Sequence, residues 1–266
     1  MSAVMASNPS SGQYSVCFTA VPDIPHISSG DDVAQLLFDA SNAAGLQIAE
    51  GDIFVIAHKI ISKAEGCLRN LSEVHPSDRA FEVANVTGKD PRLVELILRE
   101  STQISRMKPG LLIVRHRLGF TSANAGIDRS NVFQEEGDET VLLLPEDPDA
   151  SASELQERLR DLTGSNVGIV IADSHGRPFR LGTVGVAIGV AGAPALWDRR
   201  GERDIFDYEL QHTDVGTADE IAAAASLIMG QAAEGTPVVH IRGLRLPDVR
   251  GRARDLVRPR QDDLYQ

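Results

Sequence analysis

Five short apolar runs set the terms on which this chain can fold. Ile53 to Ala57, Leu111 to Val114, Val141 to Leu144, Val167 to Ala172 and Pro237 to Ile241 are almost free of polar residues. Runs of this length are short for a globular helix and too continuous for a strand with one wet face, so they read as buried strands. Helix signals lie between them. Asp31 or Asp32 can cap a helix through Val33, Leu36, Leu37 and Ala40 that ends near Gly45. Asp90-Pro91 places a cap before a proline at the first helical position, ahead of the apolar face of Leu93, Leu96 and Ile97. Ser151 to Glu154 and Thr217 to Glu220 have the form of capping boxes, opening helices that stop at Gly164 and Gly230. The two kinds of element do not alternate strictly and no repeat recurs at a fixed period. The pattern predicts an α+β fold.

Composition narrows the function classes. With 266 residues, 42% of them hydrophobic, the chain can form one large domain or two that share a core. A formal net charge of −12 argues against a general nucleic-acid binder, which needs a basic surface. The longest apolar stretch, Val184 to Trp197, is broken by Gly185, Gly189, Gly192 and Pro194 and falls short of the roughly 20 residues that span a bilayer. Cys17 and Cys67 form no C-x-x-C pair, and a reducing cytoplasm fits them. Residues 1–17 read as a flexible leader, uncharged and without the core of a signal peptide. Between Arg242 and Arg260 stand seven Arg against two Asp, so the rest of the chain is more acidic than the total suggests. Such a body can handle anionic ligands only with help from metal ions or a few placed cations.

Standard phosphate-binding signatures are missing. Gly88-Lys89-Asp90 lacks the hydroxyl residue of a P-loop, and Val83 occupies the place of its first glycine. No H-E-x-x-H, paired C-x-x-C or G-x-S-x-G motif is present. The informative segment is Gly168 to Gly176. There a buried strand is expected to end at Asp173 and turn through Gly176, which would set the carboxylate at a sheet rim. Asp173 can then ligate a hard cation such as Mg²⁺ with the Ser174 hydroxyl beside it; alternatively it caps the turn. Arg177 and Arg180 follow and suggest a bound anionic substrate. Asn124 to Asn131 groups Asp128 with an arginine, a hydroxyl and amides around Gly126, either as a second metal-binding turn or as a polar loop. Lys63 follows a buried strand and can pair a phosphate or balance Glu65. Gln231 and Glu234 offer oxygens in the Gly-flanked loop after the last helix. His175 and His212, without an evident partner, read as structural or solvated, and Trp197 as packing.

Taken together and in this order, Ile24-Pro25-His26-Ile27, Gly51 to Gly66, Asn124 to Asn131, Gly168 to Gly189 and Thr217 to Leu244 resemble the coenzyme F-420:L-glutamate ligases, the coenzyme F-420-0 gamma-glutamyl ligases. The resemblance spans residues 18–246 and leaves 247–266 as an Arg-rich tail. That tail is similar to the start of a connection to a nitroreductase-like domain carried by some relatives, so no flavin reductase activity is expected. The resemblance implies a two-lobed mixed-sheet monomer in an intertwined homodimer. It also implies a GTP-dependent ligase using Mg²⁺ or Mn²⁺, which adds L-glutamate to a deazaflavin coenzyme through an acyl phosphate, with extension to a γ-linked chain as a further expectation. Carried over by position, Asp128, Asp173 and Ser174 are metal ligands, with Gln231 at a further metal position where other members carry a carboxylate. Asp128, Asp173 and Lys63 are the catalytic candidates. Ile24, Pro25, His26, Ile27, His58, Lys59, Lys63 and Asn131 line the nucleotide site together with Met229, Gly230, Gln231, Ala232, Ala233, Glu234, Gly235 and Thr236. A metal-dependent phosphatase acting on another nucleotide and a non-catalytic GTP sensor are the alternative functions.

Overall fold

The computed structural model describes residues 14–134 and 139–263. The first half runs β1 (Cys17–Ala20), α1 (Val33–Ala43), β2 (Ile53–Ala57), α2 (His58–Ala64), β3 (Leu68–Asn70), α3 (Asp78–Thr87) and α4 (Pro91–Arg99). Then come β4 (Ser101–Lys108), β5 (Leu111–His116), β6 (Thr121–Ala123), β7 (Thr140–Leu142) and α5 (Pro148–Thr163). The chain continues through β8 (Gly168–Arg177), β9 (Arg180–Ala191), β10 (Trp197–Asp198), β11 (Asp214–Val215), α6 (Thr217–Met229) and β12 (Val238–Arg242). The class is α+β, as the segment pattern predicts.

The main sheet has the order β1-β12-β2-β8-β9, with only the β2–β8 pair parallel. Its continuous apolar runs are explained by helices on both faces. Successive side chains on a strand point to opposite sides. Phe54, Ile56, Ile169 and Ile171 therefore meet Leu37 of α1 and Leu155 and Leu159 of α5. Ile53, Val55, Val170 and Ala172 meet Ala218, Ile221, Ala222 and Ala225 of α6. Fully burying one large aliphatic side chain is worth about 1.5–3 kcal/mol, so these two rows dominate the stability of the sheet. A separate cluster, including Leu71, Val83, Val94, Ile97, Leu112 and Val114, forms where α3 and α4 cover the β4-β5-β6 sheet. Asp32 caps α1 and Asp90 caps α4 with Pro91 at its start, as the sequence predicts.

Three local expectations are corrected. β8 does not stop at Asp173: it pairs with β9 through Arg177, and the turn falls at residues 178–179. β9 was obscured by its glycines. A Cβ at Gly185 would lie 2.5 Å from the Ala222 carbonyl oxygen, and one at Gly189 would lie 2.2 Å from that of Pro148. Glycine is required there because α6 and α5 lie directly on the strand backbone. α5 begins earlier than Ser151, since Asp147 caps it ahead of Pro148. α6 starts after Gly216 without a side-chain cap, and the Asp219 carboxylate instead accepts the Ala187 amide at 2.9 Å.

Part of the leader and most of the expected tail are docked. Tyr14 accepts the Arg245 amide at 3.0 Å, while residues 1–13 lie outside the described residues. In the tail, Gly251 bonds Ala193, and the Ala253 amide donates to Asp149 at 2.7 Å. Ala253 is buried in the α6-side core with Leu256 against it, so this stretch closes the structure rather than trailing from it. Among the described residues, no helix is long and apolar enough to cross a membrane.

Candidate functional site

Four segments distant in sequence meet where β2 gives way to α2. The helix follows the strand without a linker, and its spacing puts Ile60 and Ile61 in the core and Lys59 and Lys63, one turn apart, on a common face. His58 lies 2% exposed at the start of the helix, with Nδ1 3.2 Å from the Ser62 hydroxyl. Opposite the lysines, Asp128 is fixed by reciprocal backbone bonds with Leu142 at 3.0 and 2.9 Å. The turn before it is strained: Asn124 and Ala125 both have φ near +53°, at 53° and 54°. A left-handed conformation costs a non-glycine residue roughly 1–2 kcal/mol, and complete burial of Ala125 holds it there. Lys59 Nζ donates to Asp128 Oδ2 at 2.5 Å and to Ser130 Oγ at 3.2 Å. Lys63 Nζ donates to the Asn131 carbonyl oxygen at 2.8 Å.

The third segment is β8. Its parallel partner β2 ends opposite Ala172, so Asp173 is the first residue without a neighbour on that side. Asp173 and His175 continue the Ile169–Ile171 face, whereas Ser174 continues the Val170–Ala172 face. The Asp173 oxygens accept from the Ser174 amide at 2.7 Å and from His175 Nε2 at 2.9 Å, and His58 Nε2 lies 3.4 Å away. On the other face the Ser174 hydroxyl donates to Gln231 Oε1 at 2.8 Å, in the loop after α6. That loop is the fourth segment. Asn131 Nδ2 donates to the Ala232 carbonyl at 3.2 Å, and the Glu234 carboxylate folds over Gly230 to accept the Ala232 amide at 2.7 Å. Thr236 donates back to the end of α6, at Ile228 and Met229.

Charge is distributed to favour carboxylates over imidazolium. Burial opposes ionisation of Asp173, yet the adjoining His58 and the His175 hydrogen bond outweigh it and bring the pKa to about 2. Burial drives His58 toward its neutral form despite the nearby carboxylates. Asp128 is likewise resisted by burial but held below the usual carboxylate range by Lys59. Burial, with the charge of Lys59, pushes Lys63 downward.

The oxygens available here suit a hard divalent cation. Two ionised carboxylates, Asp128 and Asp173, stand near the start of α2, and the Lys59 ammonium already occupies a cation's place on Asp128. Among the described residues no group of three or more His, Cys, Asp or Glu side chains is arranged to hold a metal ion by itself. A small cation that keeps waters and takes substrate oxygens matches such a sparse protein shell. Because Ser174 and Asp173 point to opposite faces, the hydroxyl belongs with Gln231 rather than with the carboxylates.

The remaining candidates are placed variously. In residues 24–27, Ile27 is buried in the same core cluster as Ile60 and Ile61 of α2, Ile24 is half-buried, and Pro25 and His26 are exposed. His58 lies buried against Asp173. Arg177 and Arg180 sit at the β8–β9 tip, outside this hydrogen-bonded cluster; Arg177 donates to the Leu181 carbonyl at 3.0 Å. His175, read as structural or solvated, turns out to hold Asp173. Its alternate spacing from Asp173 on a continuing strand was the signal, hidden by ending the strand early.

Comparison with known proteins agrees over nearly the whole chain. The family model described as F420-0:Gamma-glutamyl ligase matches residues 23–243. The chain is 47% identical over 253 residues to the Coenzyme F420:L-glutamate ligase of Methanothermobacter thermautotrophicus, covering 94% of this chain and 99% of that one. It is 47% identical over 250 residues to the protein of the same name from Methanopyrus kandleri, covering 92% and 96%. The protein of that name from Methanocaldococcus jannaschii is 46% identical over 219 residues, covering 82% and 86%. The chain belongs to the F420-0:gamma-glutamyl ligase family.

Proposed function

We propose that this protein is a GTP-dependent ligase that joins L-glutamate to the deazaflavin coenzyme F-420-0, releasing GDP and phosphate, and that it works as a cytoplasmic homodimer. The observation that supports this most directly is the four-segment cluster around Lys59, Asp128, Asp173 and Gln231, in a chain so similar to relatives named for that reaction. Forming an amide in water requires an activated carboxylate. In the reaction proposed, a carboxylate oxygen of the coenzyme attacks the γ-phosphorus of GTP, and the bond to the β-phosphate oxygen breaks. The glutamate amine then attacks the acyl carbon, loses a proton and expels phosphate. No covalent bond to the enzyme forms.

Each residue in this reading has a physical task. Lys59 and Lys63, on one face of α2, offset phosphate charge as transfer proceeds. Asn131 ties the Asp128 turn to the loop from Met229 to Thr236, so the two sides of a nucleotide cleft keep a fixed separation. In this reading Asp128 and Asp173 would hold one cation, and Ser174 and Gln231 would hold another. Bound Mg²⁺ or Mn²⁺ would supply charge stabilisation on the phosphate oxygens. GDP release measured with the deazaflavin acid and glutamate, added singly and together, tests the proposal. A ligase requires both; release without glutamate marks a phosphatase, and GTP binding without release marks a sensor. Light scattering at twice the chain mass tests the homodimer.

A further inference from the structure

A cavity of about 730 Å³ is lined in part by His175. Its size falls in the range of sites that enclose a small organic ligand, about 300–1,000 Å³. Its inner end lies next to the candidate reaction centre, because the His175 ring that lines it also holds Asp173. One wall is aromatic: Phe120 lies 4.9 Å from the His175 ring and stacks on His116 at 5.1 Å. Ile188 and Val257 add apolar surface. The outer wall is formed by the segment near the C-terminus, held in place by Asp149, which accepts the amides of Val190, Ala253 and Arg254.

Five acids, Glu146, Asp147, Asp149, Asp219 and Asp263, and four arginines, Arg115, Arg117, Arg254 and Arg258, line the cavity, with Arg117 paired to Glu100 and Arg254 to Asp147 and Asp149. Asp149 is engaged by those amides, and Asp219 accepts the Ala187 amide with its pKa raised by burial. These acids secure the edge of β9 and the returning segment. Arg115 of β5 and Arg258 of the returning segment also line the cavity, and neither guanidinium has a hydrogen bond or ion pair among the described residues. The aromatic wall and apolar surface match a flat ring system, and the two guanidiniums match anionic groups on it, outnumbering Glu146, the one lining carboxylate without a hydrogen bond or ion pair among the described residues. Neither Lys59 and Lys63 nor the loop after α6 lines this cavity.

We propose that this cavity binds the deazaflavin acid that accepts glutamate, with Arg115 and Arg258 pairing its anionic groups and its carboxylate directed toward Asp173. The assignment rests on the ligase reading above for the identity of the ligand. It makes residues 251–258 part of a substrate wall.

The test is direct binding of the glutamate-free deazaflavin acid to the full chain, followed by the fluorescence of its ring, for the wild type, Arg115→Gln, Arg258→Gln and Arg115→Lys. Each glutamine variant should weaken binding of the acid about tenfold, as expected for loss of one charge-assisted hydrogen bond, and leave GTP binding within about twofold. Arg115→Lys should recover part of the loss. Unchanged thermal midpoints establish that the variants fold. Absent binding to the wild type, unaltered affinity in both glutamine variants, or an equal loss of GTP affinity would overturn the assignment. Arginine-dependent binding without ligation would uphold the cavity and remove the ligase reading; ligation with arginine-independent binding would do the reverse.

Discussion

On one face of β8, Asp173 and His175 continue the row of Ile169 and Ile171; on the other, Ser174 continues the row of Val170 and Ala172. The first face ends in an ionised carboxylate held by two rings, His175 of the same strand and His58 at the start of α2. The second ends in a hydroxyl bonded to the Gln231 amide, with no formal charge on either partner. A single strand therefore offers two unlike oxygen sites a residue apart. The difference teaches that the two positions should not be equally sensitive: the charged one has no neutral substitute, whereas the neutral one depends on geometry alone.

Asp173→Asn should break this asymmetry most severely. It removes the charge, keeps the shape, and leaves His58 and His175 without their anionic partner. GDP release should fall by roughly three orders of magnitude, as for loss of a placed electrostatic group, with the thermal midpoint little changed. Retention of more than about a tenth of the wild-type rate would show that the two faces are equivalent.

The glycines of β8 and β9 permit a second comparison, this time in stability. Gly189→Ala pushes a methyl against the Pro148 carbonyl and Gly185→Ala against that of Ala222, both backbone atoms that cannot rotate away. Each should destabilise the fold by about 2–3 kcal/mol in urea unfolding. Gly176→Ala, with nothing within 4 Å of its Cβ, should stay within about 0.5 kcal/mol. A small effect at Gly189 would mean that α5 can shift off the sheet.

Those glycines also mark where the sequence stops being legible. β2 and β8 could be read because both their faces are buried in helices, leaving an unbroken apolar signature, and α1 and α4 because Asp32 and Asp90 act on amides only two or three residues away. β9 could not, because its glycines answer to helix backbones distant in sequence. Asp219 lies within the expected capping box of Thr217 and Glu220, but its carboxylate serves an amide 32 positions back. The site divides similarly. Asp128 and Asp173 stood out from their turn-like surroundings and from family likeness, whereas the Lys59–Asp128 pair joins residues 69 apart and left no local pattern. His175 was missed through a strand end placed too early.

Ser174→Ala tests the neutral face. It deprives Gln231 Oε1 of its donor and should lower turnover about tenfold, the scale of one hydrogen bond with its partner left unsatisfied. The loss should be far smaller than that of Asp173→Asn; equal losses would show that the hydroxyl acts with the carboxylate at one position.

Gln231→Glu is the gentlest change and the most discriminating. The carboxylate can still accept from Ser174, so the local hydrogen bond survives, but the neutral face acquires a negative charge. If that face holds a second cation, affinity there should rise with the ligand charge, and half-maximal activity should need about fivefold less Mn²⁺. If it holds a phosphate directly, the same charge repels the nucleotide and the concentration of GTP needed should rise instead. Paired Mn²⁺ and GTP titrations separate these outcomes. Unchanged Mn²⁺ dependence with weakened GTP would assign cation binding to the Asp128–Asp173 face alone and leave Ser174 and Gln231 as hydrogen-bonding contacts to the nucleotide.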